Sequence, residues 1–202
     1  MSLLDGIGID LGTAIESSRL LEAAREVGAR LVRVRFTLAD RSGLDDDALS
    51  EARRTVDSAR ALGLKVLAVV DGDLTVAPAF TGAFQDAAPT PLAQVWSDEL
   101  TANAAKLAGA IGDQVEGWEI LPEPNAGLPH RIAPGRWAAL VAKVAAAVRA
   151  VSPRSTVVAG SIVSDEVDDG VEYLHAAYER GRSDGSWPEG TPLGHAGALE
   201  HI

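Results

Sequence analysis

Short runs of β-branched and other apolar residues alternate along the chain with longer alanine-rich stretches in which apolar residues recur at helical spacing. The short runs predict strands, and the longer stretches predict amphipathic helices. We predict strands over 7–11, 30–38, 65–70, 117–125 and 156–161, and helices over 14–27, 46–62, 97–110, 135–151 and 171–181. A regular alternation of strands with helices is typical of α/β proteins built from parallel βα units.

The second strand carries charge on one of its faces. Arg33 and Arg35 share a side, and valines occupy the other side. A parallel strand covered on both faces is normally apolar throughout, so two arginines on one face need acidic partners. Asp10 on the first strand and Glu119 on the fourth supply them if both point into the same space. This pattern favours the inner wall of a (β/α)8 TIM-like barrel over an open, doubly wound, flavodoxin-like sheet, which remains the alternative.

The pattern predicts one domain over residues 1–202, consisting of about five βα units. It fails after Gly181, and residues 182–202 are predicted to be an irregular segment rich in glycine and proline. A complete barrel takes about 250 residues, so we expect an incomplete barrel with exposed strand edges. Open edges predict self-association or pairing with a missing C-terminal half. The long connection over residues 71–92 is predicted to be an active-site loop.

The fourth strand places two carboxylates near its end. Residues 117–125 read Gly-Trp-Glu-Ile-Leu-Pro-Glu-Pro-Asn. In an extended segment side chains alternate between faces, so Glu119, Glu123 and Asn125 are predicted to share one face. The carboxyl ends of parallel strands are where α/β proteins place their catalytic groups. This segment is therefore the leading candidate for the chemistry.

Composition narrows the classes of partner. The 202 residues hold 18 Lys plus Arg against 29 Asp plus Glu, a formal charge of −11, which argues against nucleic acid or an anionic membrane surface as the main partner. A neutral or cationic ligand fits better. The absence of cysteine excludes disulfides and thiolate chemistry. No secretion signal or transmembrane segment is evident in this sequence, which leaves the compartment undetermined.

Neither a cofactor nor a metal site is predicted. The chain has no Walker phosphate loop and no G-x-G-x-x-G fingerprint. No serine lies in a nucleophile elbow, and the histidines are not spaced as a set of metal ligands. The four histidines are His130, His175, His195 and His201. Carboxylate chemistry is what remains.

Four segments resemble, in order, parts of the clan A glycoside hydrolases, the retaining barrels that include cellulases and β-xylosidases. Their first helix and second strand resemble the segment Ala-Arg-Glu-Val-Gly-Ala-Arg-Leu-Val-Arg-Val. The start of their third strand resembles the segment Ala-Leu-Gly-Leu-Lys-Val-Leu-Ala-Val. The Trp-Glu-Ile and Glu-Pro-Asn motifs resemble the fourth strand, and Ala-Val-Arg-Ala-Val-Ser-Pro before Val-Val-Ala-Gly resembles the next helix and the fifth strand. These segments are residues 24–34, 61–69, 117–125 and 147–160.

The resemblance implies roles for particular residues. Glu123 matches the family's general acid/base, and Arg33 matches an arginine that lines the active site. An acid/base carboxyl must keep its proton near neutral pH, which a partly buried strand end favours. The residues expected to bind substrate are Arg33, Arg35, Asp10, Glu119 and Asn125.

The sequence departs from the family pattern in two places. Pro122 stands where the family has an asparagine that contacts the sugar, and no segment here matches the seventh strand, which supplies the nucleophile. We therefore expect a glycoside hydrolase-like protein that acts on a β-linked sugar or polysaccharide by retaining acid/base chemistry, provided that the nucleophile strand is supplied. The alternative is a non-catalytic module, derived from such a barrel, that binds carbohydrate or has a structural role.

Overall fold

A computed structural model describes residues 7–13, 17–38, 44–72, 90–126, 131–164, 169–183 and 185. Five strands alternate with five α-helices, which confirms the predicted α/β order. The strands are β1 (Ile7–Thr13), β2 (Ala29–Thr37), β3 (Lys65–Asp71), β4 (Gly117–Ile120) and β5 (Thr156–Ala159). The helices are α1 (Ser17–Glu26), α2 (Asp46–Ala61), α3 (Pro91–Ile111), α4 (Pro134–Val151) and α5 (Gly170–Ser183), and a short 3-10 helix, Gly112–Gln114, follows α3.

The strands form one parallel sheet in the order β1-β2-β3-β4-β5. Parallel crossovers are almost always right-handed, so a strand order that never reverses places every helix on the same face of the sheet. Consistent with this, each helix contacts the next one along the chain. A doubly wound sheet needs a reversal of strand order, and the described residues have none. The arrangement is therefore that of a (β/α) barrel wall, as predicted.

The core lies between the sheet and its helices. Partners in a parallel ladder point to the same face, so the register assigns every strand residue to either the helix side or the inner side. Trp118 and Trp137 are the largest fully buried side chains, and Trp118 packs on the helix side of β4. The helix side is buried and apolar over β2 to β5, at Val32, Val34, Val66, Ala68, Val70, Trp118, Ile120 and Val157.

The predicted start of the third helix was wrong. Helix α3 begins at Pro91 rather than at residue 97. The Thr90 side chain accepts a hydrogen bond from Ala93 N at 3.1 Å, and Pro91 occupies the first turn, where its missing N–H costs nothing. The loop predicted over residues 71–92 therefore ends before this Thr-Pro pair, and its residues 73–89 lie outside the described residues.

The fourth strand is shorter than predicted. It ends at Ile120, because Leu121 has φ +50° and Glu123 has φ +54°, both outside the extended region. The prediction that Glu119 and Glu123 share one face of a continuous strand was therefore wrong. Glu119 belongs to β4, and Glu123 belongs to the bend that follows it.

At the C-terminal side, α5 extends through Ser183, two residues into the segment predicted to be irregular. Beyond it, residues 184 and 186–202 lie outside the described residues. Among the helices of the described ranges, none is long and apolar enough to cross a membrane.

Candidate active site

Charged side chains gather on the inner side of the sheet toward the carboxyl ends of the strands. The register aligns Asp10 of β1 with Arg33 of β2, and Val69 of β3 with Glu119 of β4. Arg35 lies two positions further along β2, on the same face as Arg33. Four adjacent strands thus contribute to one side of the sheet, as the alternation in β2 predicted.

Arg33 is the centre of a three-residue ion-pair cluster. Its Nε donates to Glu119 Oε2 at 2.6 Å, and its Nη2 donates to Glu119 Oε1 at 3.0 Å, a bidentate pair. Its Nη1 donates to Asp10 Oδ2 on the other side. The hydrogen bonds from Arg33 to Glu119 raise the already high pKa of Arg33 further. The predicted pairing of Glu119 and Asp10 with the β2 arginines is thus confirmed, with Arg33 as the partner of both.

A second ion pair joins Arg35 to Asp71 at the end of β3, with Nη1 and Oδ2 3.2 Å apart. Asp71 Oδ1 also accepts from Gly72 N at 2.8 Å. Asp71 is absent from the predicted site residues, because the third strand was predicted to end at residue 70. An acidic residue directly after a buried strand, one position beyond Val70, was the signal that would have identified it.

The bend after β4 is held by hydrogen bonds with β3, with α4 and with the segment that follows β5. Leu121 N donates to Val70 O at 2.8 Å, and Trp137 Nε1 of α4 donates to Leu121 O at 2.9 Å. Glu123 N donates to Ser161 O at 2.6 Å, just beyond β5. Left-handed backbone costs a non-glycine residue roughly 1–2 kcal/mol, so these bonds must hold Leu121 and Glu123 in place. Strained backbone of this kind clusters at functional sites.

The approach of β5 to this bend requires glycine at position 160. A Cβ on Gly160 would lie 2.4 Å from Leu121 O and 2.5 Å from Pro122 Cα. Both are backbone atoms, which cannot turn aside as a side chain can. Gly160 therefore lets the end of β5 lie directly against the bend that carries Glu123.

The Glu123 side chain is exposed, so its predicted partial burial was wrong. The negative charge of Glu123 makes a minor contribution to raising the pKa of Asp71. The exposed position gives Glu123 access to a ligand from solvent. The catalytic role predicted for it stays a prediction.

Asn125 is fully buried and pairs two loops. Its Nδ2 donates to Val163 O at 2.6 Å, and its Oδ1 accepts from Val163 N at 3.0 Å. These contacts show a structural role in joining the loops after β4 and β5. The predicted contact of Asn125 with substrate stays a prediction, as do the substrate contacts predicted for Asp10, Arg33, Arg35 and Glu119.

Within the described ranges, no group of three or more histidine, aspartate or glutamate side chains is arranged to hold a metal ion. Of the four histidines only His175 falls in those ranges, and the predicted absence of a metal site and of a cofactor stays a prediction.

The pH dependence of stability tests the environment of Asp71. Burial raises the pKa of this carboxyl above its ordinary 3.8, against the opposing effects of Gly72 N–H and Arg35. A carboxyl that binds its proton more tightly in the folded state stabilises the fold below pH 3.8, and that contribution is lost as the pH rises through the raised value. Relative to wild type, Asp71→Asn should therefore gain stability between about pH 4 and pH 7. Urea unfolding across this range measures the difference, and a relative loss would show that Arg35 outweighs burial.

Comparisons with solved structures place this geometry among known folds. A hyperthermophilic endo-β-1,4-glucanase is 20% identical to this chain, with a TM-score of 0.59. The matched region covers 78% of this chain and 51% of the glucanase. The β-mannanase of the blue mussel Mytilus edulis is 15% identical, with a TM-score of 0.57, and the match covers 77% of this chain and 58% of the mannanase. GH5_18 from Streptomyces cattleya, solved in complex with GlcNAc, is 20% identical, with a TM-score of 0.54. The match covers 71% of this chain and 38% of GH5_18.

The chain has the fold of the glycoside hydrolase barrels. GH5_18 is a family 5 glycosidase and so belongs to the group whose motifs the sequence resembles, and the predicted fold is confirmed. The chain spans between about two fifths and three fifths of the length of the structures described above. No family model matches the chain, and no curated protein matches it either.

Proposed function

We propose that this protein belongs to a glycoside hydrolase of the retaining type, in which Glu123 transfers a proton to and from the glycosidic oxygen of a β-linked sugar. The observation that supports it is the placement of Glu123, an exposed carboxylate on a strained bend directly after β4. Catalytic groups of (β/α) barrels lie at this end of the strands.

The structural neighbours suggest the substrate class. Their names describe a β-mannanase, an endo-β-1,4-mannanase, an endo-β-1,4-glucanase and an exo-β-1,4-mannosidase. Several of these names specify a β-1,4 linkage. We propose a β-1,4-linked mannan or glucan, or an oligosaccharide derived from one, as the substrate of this chain.

The hydrogen bonds distinguish the two glutamates of residues 117–125. Glu119 Oε1 accepts from Arg33 Nη2 and from Ser161 N, and Glu119 Oε2 accepts from Arg33 Nε. A carboxylate held by three donors, with its side chain 7% exposed, is poorly placed to exchange a proton with a ligand. Glu123 is exposed and has that freedom. A retaining site also needs a nucleophilic carboxylate about 5 Å from the acid/base, and the resemblance assigns it to a later strand than β5.

The 202-residue chain matches only the acid/base part of the site, so by itself it should release little or no p-nitrophenol. The proposal is therefore tested on a form of the protein that supplies the nucleophile strand, incubated with p-nitrophenyl β-mannoside, β-glucoside and β-xyloside, with the matching α-glycosides as controls. We expect p-nitrophenol release from at least one β-glycoside and from no α-glycoside. Release from none of the β-glycosides, at protein concentrations where the free substrate is stable, would contradict the proposed hydrolysis.

We propose carbohydrate binding without hydrolysis as the second candidate function. Pro122, directly before Glu123, is buried and has neither a side-chain donor nor a backbone N–H for a sugar hydroxyl. Titration calorimetry with mannan and cello-oligosaccharides separates the two candidates. Saturable binding with no p-nitrophenol release would support the binding module.

A further inference from the structure

We infer that Glu119 is a positioning residue for Glu123, acting on it through the main chain of Ser161. The catalytic importance of this coupling rests on the proposed function, whereas the coupling itself can be measured without any activity. Glu119 therefore has a defined task other than contacting a ligand.

Glu123 has a strained backbone that other groups must hold. A glutamate at φ +54° has no intrinsic preference for that conformation, so its neighbours select it. Two backbone bonds close on the residue: Glu123 N donates to Ser161 O at 2.6 Å, and Ala126 N donates to Glu123 O at 3.0 Å. The bond to Ser161 is the one that ties Glu123 to another part of the fold.

Ser161 uses its main chain in two directions. Its carbonyl oxygen accepts from Glu123 N, and its own N–H donates to Glu119 Oε1 at 3.0 Å. Ser161 follows the last residue of β5 by two positions and belongs to no strand or helix. The Glu119 side chain thus fixes the main chain of Ser161, and the Ser161 carbonyl in turn fixes Glu123.

Glu119 is itself held rigidly. Arg33 fixes both of its oxygens from β2, and Asp10 fixes the far side of Arg33 from β1. The Glu119 side chain is 7% exposed and that of Arg33 17%. A bond from Ser161 N to a carboxylate is stronger than one to a neutral amide. The ion-pair cluster thus anchors the loop that sets the position of Glu123.

Amide hydrogen exchange tests the inference directly. In Glu119→Gln the side chain keeps its shape and loses its charge, so the bond from Ser161 N weakens and the Glu123 amide should exchange about tenfold faster. The amides of Val66 and Ala68 in β3 should exchange at the wild-type rate. Glu116→Gln is the matched control, since Glu116 pairs with Lys65 at the opposite end of β4 and should leave the Glu123 amide unchanged.

The outcomes separate a positioning role from a merely structural one. Faster exchange at Glu123 with unchanged exchange in β3 supports the inference. Equal acceleration at all these amides indicates loss of the whole fold and overturns it, as does an unchanged Glu123 amide. If Glu119→Gln does not fold, Asp10→Asn is used instead, since Asp10 is half exposed, contacts Arg33 only at Nη1, and otherwise accepts only from Gly12 N, which asparagine Oδ1 can still do. It should accelerate exchange at Glu123 in the same direction by a smaller factor, and no acceleration would overturn the inference.

Activity measurements test the proposed function separately. If the chain hydrolyses a β-glycoside, Glu119→Gln should lower kcat more than it changes KM, because a residue that acts only by positioning Glu123 adds nothing to substrate binding. A raised KM with unchanged kcat would instead make Glu119 a ligand contact and overturn the positioning role. If the chain hydrolyses none, the exchange result still decides whether Glu119 positions Glu123.

Discussion

Replacing Glu123 with glutamine, in a form of the protein that supplies the nucleophile strand, should lower the rate of β-glycoside hydrolysis by about 10²–10⁴-fold, the usual contribution of a general acid/base. Glutamine keeps the length of the side chain and the backbone bond to Ser161 O, so the bend after β4 is preserved. Only the ionisable carboxyl group is lost. The loss should therefore appear in the chemical step and not in stability.

The choice of substrate makes this result specific. An acid protonates the departing oxygen, so its removal matters most for alkyl or phenyl leaving groups and least for 2,4-dinitrophenyl, which departs without a proton. We expect the loss in Glu123→Gln to grow as the leaving group becomes poorer. Steady-state rates over a series of aryl β-glycosides measure this slope.

Glu116→Gln is the control for the loss of a negative charge. Glu116 directly precedes β4 and Glu123 follows it, so the two exposed glutamates lie at opposite ends of the same strand. The control should keep the wild-type rate with every leaving group. An equal loss in both variants, or no loss in Glu123→Gln, would remove Glu123 from the proposed chemistry.

Much of the sheet was predictable from the alternation of residues. Arginines at alternate positions in β2 cannot face a packed helix layer, so they had to face the inner side and find acids there. Asp10 on the adjacent strand β1 and Glu119 on β4, two strands away, were the available acids, and both contact Arg33. Alternation alone does not determine which arginine these acids pair with, because Arg33 and Arg35 share the same face and differ only in their position along β2.

The bend after β4 was not predictable from local sequence. Leucine and glutamate both disfavour positive φ, so nothing in their identity indicates a left-handed conformation at Leu121 and Glu123. The conformation is selected by the Trp137 indole, which is distant in sequence, and by the close approach of Gly160. Tertiary contacts determine the backbone conformation of this bend. The alternation of side chains between the two faces of the sheet ends where the hydrogen bonds of β4 end.

The charges at the carboxyl ends of the strands have separate tasks. Arg33 neutralises the buried Glu119, which accepts from Ser161 N in the loop after β5, while Arg35 pairs with Asp71 at the end of β3. Glu123 alone among these carboxylates is both exposed and free of an ion pair among the described residues. One accessible carboxylate beside ion pairs that are anchored in the strands is the arrangement that a positioned acid/base requires.

Arg33→Leu should destabilise the protein by about 3 kcal/mol at neutral pH, because it leaves the buried Glu119 carboxylate without its counter-ion. Leucine fills part of the volume of the arginine side chain, so packing contributes little to the loss. Lower pH should restore part of the stability of this variant, since a protonated carboxyl needs no counter-ion. Urea unfolding at about pH 7 and about pH 5 measures both effects.

The double variant Arg33→Leu/Glu119→Leu separates the ion pair from the cost of an unpaired charge. Replacing both partners of a buried pair with apolar residues is often close to neutral, so most of the lost stability should return. Arg54→Ala is the matched control: its exposed pair with Glu51 should be worth no more than about 0.5 kcal/mol. If Arg33→Leu cost no more than Arg54→Ala, the cluster at the ends of β1, β2 and β4 would not hold the site together. A double variant as unstable as Arg33→Leu would show that the loss comes from packing and not from the unpaired carboxylate.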